Sequence, residues 1–158
     1  MFDILPTRGV RALIIACAAL AVATAVQAQR PADATPLKVS QAQFQGLKFV
    51  EGKWRGTGYR VPFFEWYRVV NDSTIELSTA DDSTFATTQP GSSIVLRSGS
   101  IYSQSNGQSR WVVTRIDTAG YYFSAIGRPG GFVWKPVTPN QWTAVLQNGT
   151  NYQMYRIK

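Results

Sequence analysis

At 158 residues the chain is the size of one ordinary domain, and a composition of 44% hydrophobic and 13% aromatic residues excludes an intrinsically disordered chain. Sixteen Lys and Arg against nine Asp and Glu give a formal charge of +7, but the basic residues are scattered singly. That pattern suits a solvated surface with, at most, weak contact to an anionic membrane or cell-envelope surface, and it excludes a clustered nucleic-acid patch. The sequence contains no histidine and one cysteine, so Ser-His-acid and Cys-His nucleophile systems and His-ligated zinc cannot be assembled.

The chain begins with Arg8 and Arg11 ahead of an apolar run from Ala12 to Val26 that ends in small residues at Val26-Gln27-Ala28. This is the layout of a secretory signal cleaved after Ala28, and about 15 apolar residues are short of the ~20 a membrane-spanning helix needs. Residues 1–28 are therefore read as a signal peptide, and the protein as exported to the periplasm or secreted. Cys17 lies within that segment, at Ile14-Ile15-Ala16-Cys17, where the apolar stretch before it is too short for a lipoprotein signal. A mature chain starting at Gln29 has no cysteine, hence no disulfide and no sulfur-ligated metal. Loss of Asp3, Arg8 and Arg11 lowers the formal charge by one and leaves it basic.

Residues 29–36, polar with two prolines, read as a flexible leader, and residues 37–158 as the folded domain. Val39, Ala42, Phe44 or Leu47, and Val50 are spaced for a short helix that could act as a lid, ended by Gly52. Beyond it the chain breaks into short aromatic and β-branched runs bounded by Gly, Pro, Asn, Asp or Ser. These predict strands near 53–60, 62–70, 73–80, 84–88, 92–97, 99–104, 110–117, 120–127, 131–137, 141–147 and 150–157. Asp117-Thr118-Ala119-Gly120, Arg128-Pro129-Gly130-Gly131, Pro139-Asn140 and Asn148-Gly149 supply the backbone preferences of tight reversals. The expectation is an all-β, antiparallel up-and-down meander. Trp142, Ala144 and Leu146 alternate with Thr143 and Gln147, and Tyr152, Met154 and Arg156 alternate with Gln153, Tyr155 and Ile157. A sandwich would accommodate this alternation too, but a sequential meander favours closure into a barrel, which leaves no exposed edge.

Gly52-Lys53-Trp54-Arg55-Gly56-Thr57-Gly58, following a short helical segment and opening the first strand, resembles the start of calycin barrels: lipocalins, fatty-acid-binding proteins and the nitrobindin-like group. Glu65-Trp66-Tyr67 and Val70-Asn71-Asp72-Ser73-Thr74-Ile75 look like bacterial lipocalin-like domains. The resemblance implies a lipocalin-like barrel with a cavity for a small apolar molecule. It also implies a structural base in which Arg156, on the last strand, packs over Trp54 beside Gly52. The chain departs from the pattern twice. Without histidine it lacks the iron ligand of a nitrobindin-like haem site, and Tyr155 directly precedes Arg156, so the Arg-x-Tyr pair with which many fatty-acid binders hold a carboxylate is not reproduced.

No catalytic residue, metal ligand or cofactor is assigned. Asp81-Asp82-Ser83 lacks the spacing of a calcium loop and reads as a solvated turn. Asn71-Asp72-Ser73 and Asn148-Gly149-Thr150 match glycosylation acceptors and also ordinary turns. Glu65 and Glu76, on neighbouring strands, could converge as an acid and a base, against the simpler expectation that they are exposed or paired with Arg68 or Lys53. Arg115 alternates with Trp111 and Val113 on one face of its strand, where it would either meet a ligand acid inside the barrel or, more simply, face solvent. Trp66, Tyr67, Arg115 and Tyr155 are the expected cavity contacts. The leading expectation is a non-enzymatic binder of a small hydrophobic or amphipathic ligand. The alternatives are an envelope-interaction domain whose barrel is filled by the same aromatics and, more weakly, a carboxylate-dependent enzyme.

Overall fold

The computed structural model describes residues 34–158; the expected signal peptide, Cys17 and residues 29–33 of the leader lie outside the described residues. The apolar alternation is expressed as ten strands: β1 (Gly52–Thr57), β2 (Phe63–Asn71), β3 (Thr74–Ala80), β4 (Thr88–Arg97), β5 (Ser100–Ser105), β6 (Gln108–Asp117), β7 (Gly120–Ala125), β8 (Gly131–Thr138), β9 (Gln141–Leu146) and β10 (Asn151–Arg156). Each pairs antiparallel with the next, and β10 pairs back onto β1, from Trp54 opposite Arg156 to Thr57 opposite Gln153. The meander is thus a closed barrel without a free edge, and the sandwich alternative is excluded.

Eleven expected strands become ten because residues 84–88 do not form one. Asp82 Oδ1 accepts from the Thr84 backbone N–H at 2.8 Å and from its hydroxyl at 2.6 Å, and Phe85 has φ 55°. These local bonds compete with the ladder and hold a loop, so β4 begins only at Thr88. At the β5–β6 turn, Asn106 and Gly107 both have positive φ (51° and 73°), the conformation of a two-residue hairpin whose twist matches its strands. Asn71, Asp117 and Asn148 each accept the backbone N–H two residues on, fixing the β2–β3, β6–β7 and β9–β10 turns.

The expected N-terminal helix forms as α1 (Gln41–Gln45), continued by a 3₁₀ turn over Gly46–Val50. Ser40 caps it reciprocally with Gln43, satisfying two orphan backbone donors. Phe44, Leu47 and Val50 are fully buried in the main core. Tyr121 donates its hydroxyl to the Gln43 carbonyl at 2.7 Å, Gln45 donates to the Asp72 carbonyl at 3.0 Å, and the Val39 N–H donates to the Gly99 carbonyl at 2.9 Å. Tyr121 lies at the start of β7, and Asp72 and Gly99 lie in the β2–β3 and β4–β5 turns, all at one end of the barrel. The helix is therefore a plug for that end. The other end, bounded by the β1–β2, β3–β4, β5–β6, β7–β8 and β9–β10 turns, carries no such cover among the described residues.

Candidate functional site

Inward-facing side chains are graded along the barrel axis. Near the plug lie Trp54, Ile75, Ile101 and Trp142, all buried. Toward the uncovered end the same faces carry Phe63 and Glu65 on β2, Trp111 on β6, Phe132 on β8, Leu146 on β9 and Tyr152 on β10, and these stop short of filling the interior. The result is a cavity of about 450 Å³, within the roughly 300 to 1,000 Å³ of small-molecule sites. Tyr67, Trp134, Trp142 and Met154 line its deeper part. The rings there interlock: Tyr67 meets Trp134 edge-to-face at 5.7 Å between centroids and Trp142 at 5.8 Å, and Trp134 lies 5.2 Å from Trp142. Such pairs are worth about 0.5 to 1.5 kcal/mol each beyond area burial, so the wall is stiff as well as apolar.

One ionisable carboxylate faces this apolar space. Glu65 sits opposite Trp54 on β1 and Thr79 on β3, which fixes it on the inner face. Its Oε2 accepts the Tyr67 hydroxyl at 2.8 Å. Burial pushes the Glu65 carboxyl above the usual carboxylate range, and the Tyr67 hydrogen bond opposes the rise. Tyr67 is held well above the ordinary phenol value by burial and by the charge of Glu65, so it remains the donor of the pair. Among the described residues, no Lys or Arg lines the cavity. The indole N–H of Trp142 is buried without a hydrogen-bond partner among the described residues.

Of the expected cavity contacts, the structure brings only Tyr67 to the interior. Trp66 is on the outer face, with Lys53 Nζ and the Arg68 guanidinium each 5.1 Å from its ring. Arg115 is also outside, stacked 3.5 Å from the Tyr122 ring centre and 3.3 Å from Asp117. The reason is a β-bulge: Val113 pairs with Phe123 but Arg115 with Tyr122, so Thr114 is an extra residue and the alternation inverts. Ile116 takes the inward place that a regular strand would have given Arg115. Tyr155 is outside too, its hydroxyl donating to Gln153 on the same strand. Glu76 points away from Glu65 and pairs with Arg68 at 3.0 Å on the exterior, so the two carboxylates do not converge.

Gly52, Trp54 and Arg156 come together at the plugged end. The guanidinium lies 4.3 Å from the Trp54 ring and donates to the carbonyls of Glu51 at 2.8 Å and Pro139 at 3.0 Å. The Trp54 indole donates to the Val50 carbonyl at 2.5 Å. Gly52 has φ 120°, and a Cβ there would fall 2.3 Å from an Arg156 nitrogen, so only glycine lets the strand enter beneath the guanidinium. Arg156 thereby ties the first strand, the last strand and the β8–β9 turn.

The residues that sequence reasoning missed are Trp111 and Leu146, which line the cavity, and Glu65 as a lone interior charge. The signal for Leu146 was its alternation with Trp142 and Ala144 on β9, and that for Trp111 its alternation with Val113 on β6. A larger hollow of about 630 Å³ on the outer face, floored by Tyr122, Ser124, Val133 and Val145, is a depression in the sheet exterior rather than a chamber. Protein-family models, curated proteins and solved structures were compared with this chain and none matches it. The barrel geometry and the cavity lining alone bear on function.

Proposed function

We propose that the protein is an exported, non-enzymatic binder that holds a small hydrophobic or amphipathic molecule in its barrel, and that the barrel is of the calycin type. The observation that carries this is the 450 Å³ aromatic chamber, plugged at one end by α1 and uncovered at the other. A domain built only to present its exterior would gain by filling that space, because unfilled volume forfeits dispersion contacts. Separation of Glu65 from Glu76 removes the two-carboxylate arrangement an acid–base enzyme would need. The calycin-type assignment is supported by the Gly52-x-Trp54 opening, the closed meander and Arg156 over Trp54. Export is supported by the composition of residues 1–28.

Native mass spectrometry of the protein purified from its own compartment, followed by organic extraction, tests the reading. A stoichiometric small-molecule adduct is the expected result. A clean unliganded mass that persists after incubation with a lipid and metabolite extract would overturn it and favour the envelope-interaction alternative.

A further inference from the structure

The cavity's chemistry is lopsided. Its wall is mostly aromatic with Ser92 and Ser103 at one side, and among the described residues its one carboxylate has a single protein donor and no cationic side chain lines it. A carboxylate in an apolar chamber is costly unless paired, and here the protein supplies only the Tyr67 hydroxyl, to Oε2. Deepening the binding reading above, and resting on it, we infer that the cavity takes a small hydrophobic amine, with its ammonium on Glu65 and its hydrocarbon among Phe63, Trp111, Phe132 and Trp134.

Three features converge on a cation. The second carboxylate oxygen, Oε1, carries no hydrogen bond from the described residues, which leaves an acceptor for a charge-assisted N–H bond. The Tyr67 oxygen, donating its proton to Glu65, keeps lone pairs that can accept a second ammonium hydrogen. Aromatic faces around the site attract a cation through their quadrupoles, an effect that grows when water is excluded. An anionic ligand meets none of this: it would find a like charge and no Lys or Arg partner. A neutral hydrocarbon would fit the wall but leave the carboxylate unpaired.

Among the described residues, no Lys, Arg or second carboxylate lines the cavity with Glu65. Trp54 on β1 and Thr79 on β3 flank it, and the titratable residues lining the cavity are the phenols of Tyr67, Tyr59 in the β1–β2 turn and Tyr152 on β10. Arg128 in the β7–β8 turn stacks 4.9 Å from the Trp111 ring, but it does not line the chamber. Amine affinity should therefore fall as pH drops through the raised titration of Glu65, because the protonated acid no longer pairs with an ammonium.

The test uses three probes of similar shape, 2-phenylethylamine, 2-phenylethanol and 3-phenylpropanoate, titrated into the protein by calorimetry with tryptophan fluorescence as a second readout. The amine is expected to bind about tenfold or more tighter than the alcohol, with the acid weakest, as one charge-assisted contact worth ~1.4 kcal/mol requires. Glu65→Gln should weaken amine binding about tenfold and so remove most of that preference, with near-ultraviolet circular dichroism verifying its fold. Equal binding of amine and alcohol by the native protein would overturn the amine inference but keep the binding reading, and needs no variant. Binding of none of the three would overturn the amine inference, and the binding reading then stands or falls on the adduct sought by native mass spectrometry.

Discussion

Glu65 is a half-buried carboxylate whose position on the inner face costs stability. Its folded-state titration is raised above the ordinary carboxylate range by burial. The unfolded chain therefore releases this proton at lower pH than the folded one. Below the ordinary carboxylate range both states are protonated and the group costs nothing. As pH rises toward the raised value the unfolded state ionises first, and stability is progressively lost. Glu65→Gln, which keeps an acceptor for Tyr67, should therefore melt at a higher temperature than the native protein at pH 7, with the gap narrowing toward pH 4. Thermal melts across that range check it, and a gap that does not depend on pH would remove burial of the charge as the cause. Arg156 is the opposite case, because its guanidinium keeps two carbonyl partners and an indole face. Its stacking on Trp54 contributes ~0.5 to 2 kcal/mol.

Among elements, the bulge in β6 and the plug do most to set the interior. Without Thr114 as an extra residue, Arg115 would enter the barrel and Ile116 would leave it, placing a guanidinium in the core and a β-branched hydrophobe in solvent. The plug works through burial rather than through helix propensity, since α1 has five residues, far fewer than an isolated helix needs. Leu47 on the 3₁₀ turn is fully enclosed. Leu47→Ala should cost about 2 to 5 kcal/mol in urea denaturation, the range for deleting a buried leucine side chain. A loss under about 1 kcal/mol would mean that the plug contributes little to holding the barrel closed.

For the whole molecule, closure is the decisive property. β1 and β10 are the first and last strands, and their pairing converts a ribbon with two edges into a sheet with none. Removal of residues 151–158 deletes β10, opens the edges of β1 and β9, and takes away Tyr152, Met154 and Arg156 from wall and base. Such a chain should self-associate on size-exclusion chromatography and lose its cooperative thermal transition. A truncated chain that stayed monomeric and melted cooperatively would show that closure is dispensable. The same closure makes a chamber from residues far apart in sequence: Glu65 and Leu146 line one cavity only because every intervening strand pairs with its neighbour.

Trp142, Ala144 and Leu146 could be assigned to one face from the sequence because β9 is regular and period two is all that a regular strand requires. The turn residues, the short capped helix and the meander were legible on the same local grounds, since propensity and backbone preference act over a few residues. Tyr67 was expected at the cavity and lies there, whereas Trp66, Arg115 and Tyr155, also named as cavity contacts, face outward. Their orientation depends on absolute register, which a side-chain list does not contain, and in β6 on a bulge that no local signal marks. The loop at residues 81–87 replaced an expected strand because Asp82 bonds locally to Thr84. What the sequence determined by itself was an all-β meander with an N-terminal cap, because those properties arise from neighbours in the chain. Only tertiary structure decided that the sheet closes, that the rings leave a chamber and that one carboxylate looks into it, because each of these depends on which strands meet across the barrel.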